Sequence, residues 1–483
     1  MIAQVYPVIR MPQSRAGSGG GVFDYAIPED LAREPGDVIR VPFRGRTVMG
    51  VVKSLQPTST FGTIKPIDGS TPLFRLSSQE IAYFEQIAQE LGISVPTVLY
   101  NAFPQAGARG PRPVSESAVQ KLSIPTTDVE RLSSDVRSVL RASRAFVWCE
   151  DIRYAAALIA GVQKTHTGPT LILCPNVRDV RLMSAYLSSH APTVVTGDET
   201  EPRRFANWMQ WRNAGGIFIG TRIAALMPHP SLSAIYIIRS GHDNHREPKR
   251  VPPFDARIGA ERLAELVGAK LIACDAAPTS TQLLPDRTII GRAPDTDTLV
   301  VSQSKERPHA EHVFVSPSAS AAIAEALAHG QRVLAVLNRK DATSKIGLGI
   351  SEAARGLRAA FPTATVAILE KAAASVPRSD ILVTTRFYIE NVFNPAHPEG
   401  FGLVADLDPD ALLYSSLAGA IEETMRTCFE WRAVAHANRC PFIVQTTRPE
   451  LFERMFSDPI GLLKQEADAA GAYRNLVDNV PKT

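Results

Sequence analysis

From about residue 128 onward the chain alternates short apolar runs with helical stretches, and it does so twice. The runs "AFVWCE", "PTLILCP", "TVVTG", "GIFIGTR", "AIYIIR" and "AKLIACD" read as buried strands. Between them lie segments such as "IRYAAALIAGVQK" and "EPRRFANWMQWRNA", whose apolar residues recur at helical spacing. Strands that alternate with helices build parallel sheets covered on both faces. The pattern restarts with "TLVVSQ", "HVFVSP", "RVLAVLN", "ATVAILE", "DILVTT" and "GLVADLD" and finishes with "PFIVQTT". The expectation is an α/β chain with two consecutive parallel-sheet lobes, 136–283 and 284–447, then a short helical segment at 448–483. Trp208 and Trp211 sit at helical spacing and are expected in the core of the first lobe.

The first hundred residues follow a different rule. "GVFDYAIP", "GDVIRVPF" and "TVMGVVKSL" are strand-like runs punctuated by "EPGD" and "RGR" turns, which suits a small β-barrel. The "GSGGG" at 17–21 has no lysine and no following helix, so it is a turn and not a phosphate loop. Residues 77–103 have helical periodicity and extend the barrel domain, 1–103. The stretch 104–135 opens with Pro-, Gly- and Ser-rich sequence and reads as a linker. A length of 483 residues accommodates about three domains.

Charge and cysteine content narrow the functional classes. The net charge is +3, from 52 basic and 49 acidic residues, so any contact with nucleic acid must be local. No signal sequence opens the chain and no apolar run approaches the roughly 18 residues of a membrane span. A cytoplasmic protein is expected. The five cysteines are 149, 174, 274, 428 and 440, with none in the close pairs a zinc ribbon requires, so no metal is expected.

The order of motifs carries a resemblance. "FDYAIPEDLAREPGDVIRVPFRGRTVMGVV" is similar to the start of the bacterial primosomal replication-restart helicase family, PriA, in which a 3′-DNA-end-binding barrel precedes two helicase lobes. "FIGTR" at 218–222, "IYIIRSGHD" at 235–243, "PPFDAR" at 252–257, "DAAP" at 275–278, "VLNRK" at 336–340 and "DILVTTR" at 380–386 follow in the family's order. The resemblance implies superfamily 2, RecA-like lobes, with ATP, magnesium and zinc as the family's cofactors.

The departures concern the motor chemistry. A phosphate loop needs glycines for close backbone approach, a lysine and a hydroxyl. The corresponding segment, "FVWCEDIRYA" at 146–155, has no glycine, lysine, serine or threonine and carries Glu150 and Asp151. The family's magnesium-binding acidic pair is replaced by Arg239 and Ser240, which offer no anionic oxygen. Thr221, Arg222, His242 and Asp243 remain as parts of a degenerate nucleotide site. The closing arginine motif survives at best as "EWRAVAHANR" at 430–439. Only "DATSK" bridges "VLNRK" and "IGLG", where the family has its zinc-binding cysteines, and the winged helix is absent or reduced to the linker. No catalytic residue and no bound cofactor are expected.

The barrel keeps the family pattern best. Phe23, Asp24, Tyr25 and Lys65 match the positions that hold a 3′ end: an aromatic face stacks a base, a carboxylate accepts from a 3′-hydroxyl and a lysine meets phosphate. Arg44 stands where the family has glycine. The same three-residue run could equally be core aromatics flanking a turn-capping Asp. "NHREPKR" at 244–250 replaces a DNA-coupling loop, with Arg246 and Glu247 at its key positions. The expectation is a protein that binds forked DNA with a 3′ end in replication restart, alongside other primosome proteins, without ATPase activity. An active 3′–5′ helicase and a scaffold that binds no DNA are the alternatives.

Overall fold

The computed structural model describes residues 1–11, 21–69, 71–103, 122, 129–247, 254–293, 295–303, 314–338, 349–371, 376–414 and 419–478, with backbone only from 470. The "DATSK" bridge, most of the 104–135 segment and the end of "NHREPKR" lie outside these residues. Two compact units interleave along the chain: Met1–Ile124, Val139–Arg144 and Ile159–Ala273 form the first, and Pro125–Ser138, Ala145–Leu158 and Cys274–Thr483 the second. The architecture is α/β, with an N-terminal antiparallel sheet and two parallel sheets.

The antiparallel sheet of unit 1 runs β2 (Phe23–Ala26), β1 (Ile2–Pro7), β4 (Arg46–Gln56), β3 (Asp37–Phe43), β5 (Phe74–Arg75). Its curl is closed by the 65–68 segment. Ala26 N–H donates to Lys65 O and Ile67 N–H to Ala26 O, both at 3.0 Å, while Asp68 N–H reaches Arg40 O on β3 at 3.1 Å. Strands β3 and β4 join through Arg44 and Gly45, at φ 48° and 78°. A two-residue turn with both φ values positive matches the twist of a hairpin. Arg44 bears the side-chain strain that glycine there avoids.

Strands β1, β3 and β4 carry buried residues on both faces, which is why they read as apolar runs and not as a clean alternation. Ala3, Val5, Tyr25, Ile39, Val41 and Val52 fill the barrel. Tyr6, Val8, Val38, Met49 and Val51 face outward into a second core shared with the helices α1 (Ser78–Glu90) and α2 (Val95–Ala102). Ser77 and Glu80 form a capping box that starts α1. The same core continues through Trp208, Trp211 and Phe218 to the parallel strands, so barrel and sheet are one packed body within the unit.

Those strands lie in the order β13 (Lys270–Asp275), β10 (Ala234–Ile238), β7 (Thr170–Leu173), β9 (Ile217–Gly220), β8 (Thr193–Val195). Strands β7, β9 and β10 are buried throughout, as parallel strands covered on both faces must be. Helices α5 (Val177–Tyr186), α6 (Glu201–Ala214) and α7 (Ala256–Val267) belong to this unit, with a short hairpin of β11 (Arg246–Glu247) and β12 (Phe254–Asp255).

In unit 2, β6 (Arg144–Trp148) pairs in parallel with β14 (Thr288–Ile290), next to α3 (Val129–Arg141) and α4 (Ile152–Gln163) in sequence. Its main sheet is parallel and six-stranded: β15 (Thr298–Ser302), β20 (Phe442–Thr446), β19 (Phe401–Asp406), β16 (Arg332–Val336), β18 (Ile381–Thr384), β17 (Val366–Leu369). The helices are α8 (Pro317–Ala328), α9 (Ile350–Ala360), α10 (Phe387–Asn391), α11 (Asp410–Leu413), α12 (Ala420–Asn438), α13 (Pro449–Ser457) and α14 (Pro459–Asp478). Among the described residues, no helix is long and apolar enough to cross a membrane.

Candidate nucleic-acid interface

Strand β2 separates the residues of the "FDY" run, because successive side chains of a strand point to opposite faces. Tyr25 is 4% exposed and lies in the barrel core. Its hydroxyl donates to Pro42 O at 3.1 Å, and burial pushes its pKa up to about 12. Phe23 packs against the same core half-buried, with its ring 5.2 Å from Phe43 and nearly perpendicular to it. The Arg44 guanidinium lies 5.5 Å from the Phe43 ring centroid. Tyr25 is thus a packing residue with no face left to stack a base, while Phe23 and Arg44 lie at a partly open edge.

Asp24 projects to the other face, into a polar cluster drawn from three strands and a loop. Register places Gln4 opposite Asp24 and Ser54 opposite Gln4. Gln4 Nε2 donates to Asp24 Oδ1 at 3.5 Å, Gln56 Nε2 to Oδ2 at 3.0 Å and Ser59 Oγ to Oδ2 at 2.5 Å. Ser54 Oγ donates to Gln4 Oε1 at 2.8 Å. Asp24 is therefore no turn cap. A carboxylate accepts about four hydrogen bonds, and among the described residues Oδ1 holds only the long one from Gln4. Lys65 is exposed, and its carbonyl is bonded to β2 beside this cluster. Gln4, Gln56 and Ser59 were invisible to motif reading; pairing β1 with β2 is the signal that finds Gln4.

Several of the unit 1 positions whose sequence resembles helicase motifs make internal contacts. Thr221 precedes a 3-10 turn, Arg222–Leu226. Arg222 donates to Asn244 O at 2.7 Å and pairs with Glu247. Arg239 follows β10 in the left-handed region, φ 49°, and its Nη1 lies 3.2 Å from Asp179 Oδ2. Ser240 is buried and its carbonyl accepts from Arg257 at 3.2 Å. His242 and Asp243 do not pair with each other. His242 is buried and its Nδ1 accepts from Asn244 N–H at 3.0 Å, whereas Asp243 is exposed. The next histidine, His245, donates to Ile238 O at 2.9 Å, and burial lowers its pKa to about 3, so it is neutral.

In unit 2 the N-terminus of α4 is already filled by an anion. Asp151 Oδ1 accepts from the backbone N–H groups of Arg153 and Tyr154 at 2.7 and 3.1 Å, and the Arg153 side chain grips Oδ2 at 2.6 Å. Helix N-termini hold phosphates through such N–H groups. Glu150 lies 3.1 Å from Arg131, whose guanidinium also covers the Tyr154 ring at 4.2 Å; burial raises the Glu150 pKa although Arg131 opposes it. In the "EWRAVAHANR" run, Trp431 is buried on α12 and Arg432 rests 5.6 Å from Phe429 and 5.7 Å from Phe456. All five cysteines are buried, unbridged thiols.

Residues 16–104 match the family model of the PriA 3′ DNA-binding domain (3′BD), and Phe23, Asp24, Tyr25, Arg44 and Lys65 all fall inside that span. The match supports DNA binding by the barrel. No curated protein sequence matches the chain. Among solved structures, the Mycobacterium smegmatis helicase Lhr bound to ssDNA and AMP-PNP is similar at 11% identity and a TM-score of 0.38, over 67% of this chain and 47% of that one. The chain thus spans about half the length of that relative. Saccharomyces cerevisiae Dbp5 bound to RNA and ADP BeF3 is similar at 10% identity and a TM-score of 0.36, over 68% of this chain and 92% of that one.

Proposed function

We propose that this protein binds forked DNA through a 3′ end held at the barrel, as a PriA-like factor of replication restart in the cytoplasm, and that it works with other primosome proteins without turning over ATP. The observation that carries the reading is Asp24, a carboxylate held by three side-chain donors on a barrel that matches a 3′-DNA-binding family. A hydroxyl at a 3′ end is the donor such a carboxylate accepts. Phe23, Arg44 and Lys65 supply the apolar edge and the cations.

Two features favour a chain that does no phosphoryl transfer and needs no ATP, magnesium or zinc. Asp151 occupies the backbone donors at the head of α4, and a triphosphate there would have to displace a carboxylate. Arg239 ends β10 where an acid would hold a metal, and it is paired with Asp179. Phosphoryl transfer depends on positioning and charge stabilisation, and neither arrangement provides them.

The test is a competition titration of forks ending in a 3′-hydroxyl or a 3′-phosphate, at several salt concentrations. Wild type is expected to prefer the hydroxyl, and Asp24→Ala to lose the preference. Overall affinity should persist in that variant and fall with salt, because phosphate contacts dominate it. Equal affinity for both ends in the wild type would falsify the reading. Phosphate release from ATP on forked DNA, measured on the same sample, is expected to stay at the blank; sustained turnover would instead favour an active helicase.

A further inference from the structure

The loop that brings Ser59 to Asp24 also carries Phe61, a large side chain 65% exposed to solvent. The two are joined through one oxygen. Ser59 Oγ donates to Asp24 Oδ2 at 2.5 Å and accepts the Phe61 backbone N–H at 3.1 Å. The 2.5 Å contact has the length of a charge-assisted O–H···O⁻ bond. An exposed phenyl ring is thus anchored, through its own backbone, to the carboxylate proposed to read the 3′ terminus. Burial leaves Tyr25 no role in stacking, and Phe23 is half-buried with its ring nearly perpendicular to that of Phe43. The "FDY" run therefore offers only the half-buried ring of Phe23 for stacking.

We infer that Ser59 and Phe61 complete the site: Ser59 latches the loop to Asp24, and Phe61 is the platform on which the terminal base stacks. The inference rests on the 3′-end reading and adds to it a specificity element for the terminal nucleotide. Ser59 fills Oδ2 together with Gln56, so the terminal hydroxyl is received at Oδ1, where among the described residues only the 3.5 Å bond from Gln4 competes. Stacking tolerates any base, because every base has a π-face, so the loop selects an end and not a sequence.

The experiment uses the full chain and a primed fork with 2-aminopurine at the 3′-terminal position, in a second series with 2-aminopurine four nucleotides inward. Stacking on a ring quenches this fluorophore. Binding of wild type is expected to quench the terminal probe and leave the inner one unchanged. Phe61→Ala should abolish that quenching and weaken binding of the 3′-hydroxyl end by about 5- to 150-fold, and Phe61→Trp should restore both. Phe61 is exposed, so its replacement spares the core. Ser59→Ala should weaken end binding while Ser59→Thr, which keeps the hydroxyl, should not. If Phe61→Ala binds within twofold of wild type with its quenching intact, while Asp24→Ala still erases the hydroxyl preference, the platform is refuted and the 3′-end reading stands. If wild type shows no hydroxyl preference, both fall.

Discussion

At the scale of single residues, burial decides which members of a motif can act. Tyr25 belongs to the run that resembles a DNA-end pocket, yet its ring fills the barrel and its hydroxyl is bonded to Pro42. Tyr25→Phe should therefore cost about 0.5–1.5 kcal/mol of stability, the net worth of one hydrogen bond, and leave 3′-end affinity within twofold. Urea melts and the fork titration measure the two quantities; a tenfold loss of affinity at unchanged stability would put Tyr25 on the DNA. Asp406 shows the opposite case, a carboxyl with an environment that opposes its charge. It ends β19 fully buried, and burial pushes its pKa up to about 8, against relief from Asp408 N–H and Asn338. The folded pKa lies above the ordinary aspartate value of 3.8. The folded state then holds the proton more tightly, and stability falls as pH rises from about 4 to about 8. Asp406→Asn should remove that slope, raising the melting temperature relative to wild type at pH 9 but not at pH 4. Parallel pH profiles for the two proteins would show that the group ionises freely.

At the scale of elements, a buried ion pair joins α1 to α6 within unit 1. Glu80, in the first turn of α1, is fully buried and meets Arg212, in the last turn of α6. Arg212 also donates to Arg75 O at 2.8 Å and lies 5.7 Å from the Phe74 ring and 5.8 Å from that of Trp208. A buried charge that loses its partner is costly. Arg212→Ala should destabilise by about 3–5 kcal/mol, and Glu80→Ala combined with it should cost less than the sum of the two singles. A loss under about 1 kcal/mol in guanidinium melts would mean that water reaches Glu80. The periodicity of 201–212 announced a packed helix with Trp208 and Trp211 inside, and both are buried. It gave no sign that Arg212, on the same helix, holds a buried acid 132 residues away.

At the scale of the molecule, the barrel has no core boundary against the parallel sheet of its own unit. Tyr6 and Val51 on barrel strands, Phe84 and Leu99 on α1 and α2, and Leu171 and Ile235 on β7 and β10 belong to one buried cluster. Tyr83 adds a hydroxyl bond to Ala225 O at 2.5 Å. A 1–103 fragment would expose the outer faces of α1 and α2, and we expect it to melt broadly and to aggregate, whereas the full chain melts cooperatively. Scanning calorimetry and sedimentation of the fragment check this; a sharp, reversible transition in a monomeric fragment would show the barrel to be autonomous.

Much of the design is written in local sequence. Alternating buried runs and helical periods specify parallel sheets, because burial on both faces demands apolar strands and the periods act over a few residues. The missing glycines, lysine and serine or threonine at 146–155 are equally local, since a phosphate loop is contiguous. Tertiary structure alone decided what the polar residues do. Asp24 finds Gln4, Gln56 and Ser59 across 20, 32 and 35 residues, and Arg239 finds Asp179 across 60. The side of β2 on which each residue of "FDY" falls was likewise undecided until β1 paired with it. Register and burial arise from contacts between distant segments, and neither a motif nor a period encodes which distant group a side chain will meet.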